Sequence, residues 1–220
     1  MRESIKTKKE RAIKAIETLK NVYPDAVCSL DSRNPFQLLC AVRLSAQCTD
    51  ARVNIVCKEL FAKFPTCESL AYATYEEIEE IIRPCGLFRT KAKNIKDACI
   101  MLCNEYDGEL PDSMDELLKF PGVGRKIANL LLGDIFHQPA IVADTHMIRI
   151  CGRFGMYPQN QKDPHKVEII MSELVAPEEQ SDLCHRIVQF GRDVCSARAP
   201  KCDKCPISHL CEMGRKAKNV

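Results

Sequence analysis

A chain of 220 residues is long enough for one large domain or two small ones, and a composition that is 45% hydrophobic can fill a sizeable core. Fourteen cysteines would suit a disulfide-stapled secreted domain, but the opening MRESIKTKKERAIKAIETLK is charged throughout and holds no apolar signal segment, so a reducing, cytoplasmic setting is expected. No run approaches the roughly eighteen apolar residues of a membrane span, and a net charge of +2 is by itself a weak pointer to a polyanionic partner.

Helical spacing recurs along the chain. Apolar stripes run through Ile13, Ile16 and Leu19, then Phe36, Leu39 and Val42, and next through Val53, Val56, Leu60, Phe61 and Phe64. Further on they recur at Ile95, Cys99 and Leu102, and at Val167, Ile170 and Leu174. Gly108 reads as a helix terminator, and Asp163-Pro164 as an N-cap followed by proline at the first helical position. Strand-like alternation is nearly absent, which predicts an all-α protein of about ten short helices. Basic residues gather at both ends, Lys6, Lys8, Lys9, Arg11 and Lys14 at one and Arg215, Lys216 and Lys218 at the other, while acids cluster at Glu76–Glu80. Solvated helix faces account for these clusters as well as a polyanionic partner does.

Three segments carry chemistry. In Leu117–Ala128 a turn with Pro121, Gly122, Val123 and Gly124 runs into a helix. Glycines let a ligand approach the backbone closely, and the N–H groups at the start of the following helix point outward as anion donors, so a phosphate is the natural occupant. A plain interhelical turn is the alternative for an isolated Gly-x-Gly. Next, Asp144 precedes Thr145, His146 and a helix with Met147, Ile148, Ile150 and Phe154 on its apolar side, the place of an N-cap. Finally Cys195, Cys202, Cys205 and Cys211 fall in the pattern C-x6-C-x2-C-x5-C. Four thiolates so close in sequence can wrap one metal centre, either a tetrahedral zinc or an iron–sulfur cluster. The remaining cysteines, such as Cys40, Cys99 and Cys103, read as small core residues.

The turn resembles a helix-hairpin-helix motif, and together with Val142-Ala143-Asp144-Thr145-His146 and the four-cysteine tail it resembles the endonuclease III family of DNA glycosylases. Leu44-Ser45-Ala46-Gln47-Cys48-Thr49-Asp50 and Gly86–Ile95 fit the same pattern in order, so the likeness runs nearly end to end. It implies two helical lobes flanking a DNA-binding cleft. The expected divisions are an N-terminal helix in 1–27 packed with the cluster lobe, a helical barrel in 28–138 that includes the hairpin motif at 114–133, and the cluster lobe in 139–220. The likeness also implies a [4Fe–4S] cluster on the four cysteines, and base-excision repair of double-stranded DNA by a monomer in the cytoplasm of a bacterium or archaeon.

The expected reaction removes a damaged base, with oxidised pyrimidines as the expected substrates, and then cleaves the abasic site by β-elimination through a lysine Schiff base. The resemblance makes Lys126 the nucleophile, since an amine near the positive end of a helix dipole is suited to attack the sugar, and makes Asp144 the catalytic carboxylate. Because the reacting carbon is inaccessible in stacked duplex, the nucleotide must rotate out, and Gln47 and Leu87 match the side chains that fill the gap. His146 is a further candidate for DNA contact. Arg198 and Lys201, in the first cysteine loop, are expected to face phosphates. Relatives that excise adenine lack a lysine at the position of Lys126, and thymine-mismatch relatives have tyrosine there. Two positions depart from the family pattern: Arg43, where an aliphatic residue is usual, either points into the cleft or is a surface charge, and Ile127 stands where threonine is common. A non-catalytic hairpin DNA-binding module and a redox-sensing iron–sulfur protein are the competing readings, and neither predicts Lys126 and Asp144 together.

Overall fold

The computed structural model describes residues 3–218, with the side chains of Lys216 and Lys218 from the basic C-terminal cluster outside the described part. Among the described residues there are no strands. The helices in chain order are α1 (Ile5–Val22), α2 (Pro35–Leu44), α3 (Asp50–Lys63), α4 (Cys67–Tyr72), α5 (Tyr75–Ile82), α6 (Phe88–Glu105), α7 (Met114–Leu117), α8 (Arg125–Asp134), α9 (Thr145–Phe154), α10 (Pro164–Leu174), α11 (Gln180–Asp193) and α12 (Glu212–Lys218). Short 3₁₀ turns occupy Arg83–Cys85 and Pro177–Glu179. None of these helices is long and apolar enough to cross a membrane.

Local sequence explains where the helices begin and end. Ser4, Asn34, Thr66, Thr74, Ser113, Asp144 and Asp163 each cap a helix by accepting a hydrogen bond from a first-turn amide. Pro35 and Pro164 occupy the opening turns of α2 and α10, where the missing N–H costs nothing. Helix α6 closes as Gly108, at φ +83°, donates its amide to the Leu102 carbonyl.

The chain forms two compact units, 28–136 and the combination of 1–27 with 137–220. In the first, the stripes of α2, α3 and α6 converge with Leu70, Ile78 and Ile82 of the short helices, and Leu44, Leu60, Leu70, Ile78 and Leu102 are fully buried. Burying each such side chain stabilises the unit by about 1.5–3 kcal/mol. In the second, Ile16 and Leu19 of α1 pack with Met147, Ile150 and Phe154 of α9, Val167 and Met171 of α10, and Ile187 and Phe190 of α11. The expected α1 stripe is displaced: Ile13 is exposed, and Ala12 and Ala15 take the inward places beside Ile16 and Leu19.

Arg11 is not part of a solvated basic face. It is buried, stacks on the Phe154 ring and donates Nη1 to the carbonyls of Phe154 (2.5 Å) and Leu210 (3.0 Å) while pairing with Glu3. A guanidinium satisfies carbonyls at the C-terminal end of α9 that have no helical partner, where the helix dipole also favours a cation. Nearby, Lys8 donates to the Met156 carbonyl.

Candidate functional site

In the first unit the hairpin turn joins α7 to α8. Gly122 adopts φ +76°, a conformation that glycine enters without a Cβ penalty, whereas Gly124 is extended and serves as the N-cap of α8. A Cβ built on Gly124 would meet nothing within 4 Å, so the space over this backbone is open. Val123 faces the other way: its side chain is buried and its amide is donated to the Phe120 carbonyl (3.0 Å), which pins the turn. The amides of Gly122 and Gly124 go to no backbone carbonyl among the described residues. Together with the start of α8 they make this helix N-terminus suited to an anion. Pro121 is half-buried beside it. Lys126, the second residue of α8, stands exposed, and the next residue, Ile127, turns into the core.

The two side chains expected to probe the duplex share an unusual backbone state. Gln47 has φ +55° and Leu87 has φ +49°, and both side chains are exposed, Leu87 at 58%. Left-handed backbone in residues other than glycine costs about 1–3 kcal/mol and persists only where the surroundings hold it. The restraint comes from Lys91, which sequence reasoning missed. This lysine is 2% exposed, and its Nζ donates to the carbonyls of Leu44 and Cys85 at 2.8 Å each. Leu44 leads into the Gln47 loop and Cys85 into the Leu87 loop, so one ammonium ties both together. Burial holds the Lys91 amine below its ordinary range. The available signal was the position of a lysine inside the Gly86–Ile95 motif rather than on a helix face free to be solvated.

In the second unit Asp144 caps α9, with Oδ1 accepting the Met147 amide at 2.7 Å. The carboxylate is half-buried and fixed in direction by this bond. His146 is engaged within the unit: its Nδ1 accepts from Arg149 Nη2 at 3.2 Å, and the ring packs where a Cβ on Gly191 would otherwise lie.

Cys195, Cys202, Cys205 and Cys211 line one cavity whose other walls include Ile150, Phe154, Phe190, Ile207 and Met213. Arg153 secures the loop that enters it, donating to the carbonyls of Ser196 (2.7 Å) and Ala197 (2.6 Å) and approaching Cys195 Sγ at 3.5 Å. Four thiols around an apolar cavity fit an iron–sulfur cluster. Burial pushes the Cys205 thiol up to about 11 and raises Cys211 as well; these thiols would hold the cluster as thiolates, and its positive iron would favour that form. Of the two cations in the first cysteine loop, Arg198 is exposed, while Lys201 donates to the Asp193 carbonyl at 2.9 Å and so helps to hold the loop. The other ten cysteines are buried or half-buried, with Cys28, Cys48 and Cys103 in the second group.

Comparison with known proteins agrees with these pieces. Residues 40–177 match the HhH-GPD superfamily of base excision DNA repair proteins, and residues 195–211 match the iron-sulfur binding domain of endonuclease III. The chain is 45% identical over 206 residues to endonuclease III of Synechocystis sp., covering 93% of each protein. A solved non-covalent endonuclease III–DNA complex superposes with a TM-score of 0.89 at 43% identity, covering 96% of this chain and 99% of that one. A trapped endonuclease III–DNA covalent intermediate gives the same TM-score at 44% identity, covering 96% and 98%. The chain therefore belongs to the endonuclease III family of helix-hairpin-helix base-excision repair enzymes, DNA glycosylases with abasic-site lyase activity that carry a [4Fe–4S] cluster.

Proposed function

We propose that this chain excises oxidised pyrimidines from double-stranded DNA and then opens the abasic site, with Lys126 as the nucleophile and Asp144 as the carboxylate that supports it. The hairpin turn at Pro121–Gly124 grips the backbone through its amides, and Gln47 and Leu87 enter the stack as the damaged nucleotide leaves it. Lys126 Nζ bonds to C1′ as the C1′–N bond breaks, and the electron pair departs with the base. The nitrogen then loses a proton and its lone pair opens the C1′–O4′ bond, leaving an iminium at C1′ and a hydroxyl at C4′; the iminium acidifies the 2′ carbon, and loss of a 2′ proton expels the 3′ phosphate by β-elimination. Asp144 accepts a proton from the attacking amine or offsets positive charge on the sugar. His146 contributes to DNA contact. The chain acts as a monomer on cytoplasmic DNA.

The observation that carries this reading is an exposed amine two residues beyond Gly124, in the first turn of a helix whose N-terminus is open to an anion. A relative 44% identical has been trapped as a covalent intermediate with DNA, which supports a covalent step here. When bound, the cluster supplies iron–thiolate bonds that staple the segment 195–211. Arg153 holds the entry to that segment, and Arg198 and Lys204 are cations it offers to solvent.

Borohydride trapping tests the proposal. The wild-type chain should become covalently attached to duplex DNA containing an oxidised pyrimidine, and Lys126→Ala should not, while it keeps DNA binding and the visible absorption of the cluster. A trapped Lys126→Ala complex, or a wild-type chain that never traps, would overturn the assignment and favour a non-catalytic binder. A panel of defined lesions, with and without alkaline cleavage, tests the substrate class.

A further inference from the structure

Arg43 lies in the last turn of α2, at one of the two positions where the sequence is expected to depart from the family pattern. It is half-buried rather than a surface charge, and its guanidinium lies against Gly122. A Cβ on Gly122 would fall 2.6 Å from Arg43 Cζ, 2.7 Å from Nη2 and 2.8 Å from Nε. Gly122 is thus required twice, once for its positive φ and once to leave room for the arginine. Among the described residues no carboxylate pairs with the guanidinium. Nε is buried without a hydrogen-bond partner, and burial alone, with no carboxylate contributing, lowers the group's ordinary value. A buried donor left unmet costs about 1–3 kcal/mol, and the described residues supply this one with no acceptor.

We propose that Arg43 is an additional phosphate donor at the hairpin turn, gripping the DNA backbone beside the Gly122 and Gly124 amides. Its planar fork suits a phosphate, and the acceptor arrives only with DNA. The contact carries no sequence information and adds one cation to the anchoring of the duplex. Leucine at this position would pack without an orphaned donor but would contribute no charge, so the substitution trades stability of the free protein for grip on the backbone. This inference rests on reading the turn as a phosphate grip.

The test is binding to a duplex containing a non-cleavable tetrahydrofuran abasic analogue, followed by fluorescence anisotropy across a salt series. Each phosphate neutralised contributes a slope of about −0.9 in log K against log salt. Arg43→Leu and Arg43→Gln should therefore flatten the slope by about 0.9 and weaken low-salt binding on the order of tenfold, while Arg43→Lys recovers most of the slope. Thermal unfolding of Arg43→Leu should occur at or above the wild-type temperature. Wild-type slope and affinity in both neutral variants would overturn the proposal, as would a lost slope accompanied by a marked fall in melting temperature in both. Gly124→Asp separates the two layers, because it can still cap α8 but sets a carboxylate at the mouth of the turn. If Gly124→Asp binds as tightly as wild type, the phosphate-grip reading itself fails. If it binds poorly while the Arg43 variants bind normally, only the role of Arg43 falls.

Discussion

Asp144 caps α9 and, in the proposed reading, also supports catalysis, and one pair of substitutions can separate the two. Its Oδ1 takes the Met147 amide at 2.7 Å, so Asp144→Ala removes a helix cap as well as a carboxylate. Losing the cap should cost about 1 kcal/mol, which lowers the melting temperature by roughly 2–4 °C in a chain of this size. Asparagine caps as well as aspartate does, so Asp144→Asn should sacrifice only the attraction between a negative charge and the helix N-terminus, about 0.3–1 kcal/mol. Catalysis should not distinguish the two variants. Both lose the charge, and both should slow base excision by about 10²–10⁴-fold. Thermal melting followed by circular dichroism, paired with single-turnover excision on duplex DNA, reads both effects. An Asp144→Asn enzyme that excises at close to the wild-type rate would refute the catalytic role. An Asp144→Ala enzyme as stable as wild type would refute the capping argument.

Replacing Lys91 with methionine leaves the carbonyls of Leu44 and Cys85 without their donor while relieving a buried charge, for a net loss of about 2–4 kcal/mol. Melting should fall, and excision from duplex DNA should fall further than lyase activity on a single-stranded abasic site, because both probing loops lose their common tie. Equal losses on the two substrates would argue against that coupling. Buried thiols predict alkaline lability. Burial pushes Cys28 and Cys57 up to about 12, so the folded chain keeps protons that the unfolded chain releases above the ordinary thiol value of 9.0. Their contribution is fully present below that value and is lost as pH rises toward 12, by about 1.4 kcal/mol per thiol per pH unit within the window. Denaturant midpoints measured on either side of pH 9 check the sign, and Cys57→Ala should flatten the dependence.

Much of the fold was legible because its signals are local. The stripes in α2, α3 and α6 repeat at helical spacing, and Asp163-Pro164 announces its helix with a cap and a restricted φ. Failures occurred where a distant contact reverses a local preference. Arg11 looks like a surface charge until the Phe154 and Leu210 carbonyls, far along the chain, come round to meet it. Ile13 fits the stripe of α1 as well as Ala12 does, and only close packing against the neighbouring helices selects the smaller residues. Lys201 read as a cation for phosphates, yet it is drawn to the Asp193 carbonyl at the end of α11.

The candidate site residues at 47 and 87 were named from their motifs, but only the structure shows that they and Lys91 break local rules. Leucine favours burial and right-handed backbone, yet Leu87 is exposed at φ +49°; lysine favours solvent, yet Lys91 is almost wholly buried. A sequence under selection for stability alone would put glycine at position 87 and an apolar residue at 91. Holding leucine and Gln47 in left-handed backbone costs about 1–3 kcal/mol each, and the buried ammonium adds a desolvation penalty that two charge-assisted hydrogen bonds must offset. The arrangement makes physical sense if the two exposed side chains have to stand ready before DNA arrives. A side chain ordered only on entering the stack would lose its conformational entropy at that moment, and a preformed loop has already met that cost during folding. On the proposed reading, strain at positions 47 and 87 and the buried lysine at 91 belong to one device, and relaxing any of them should slow nucleotide extrusion.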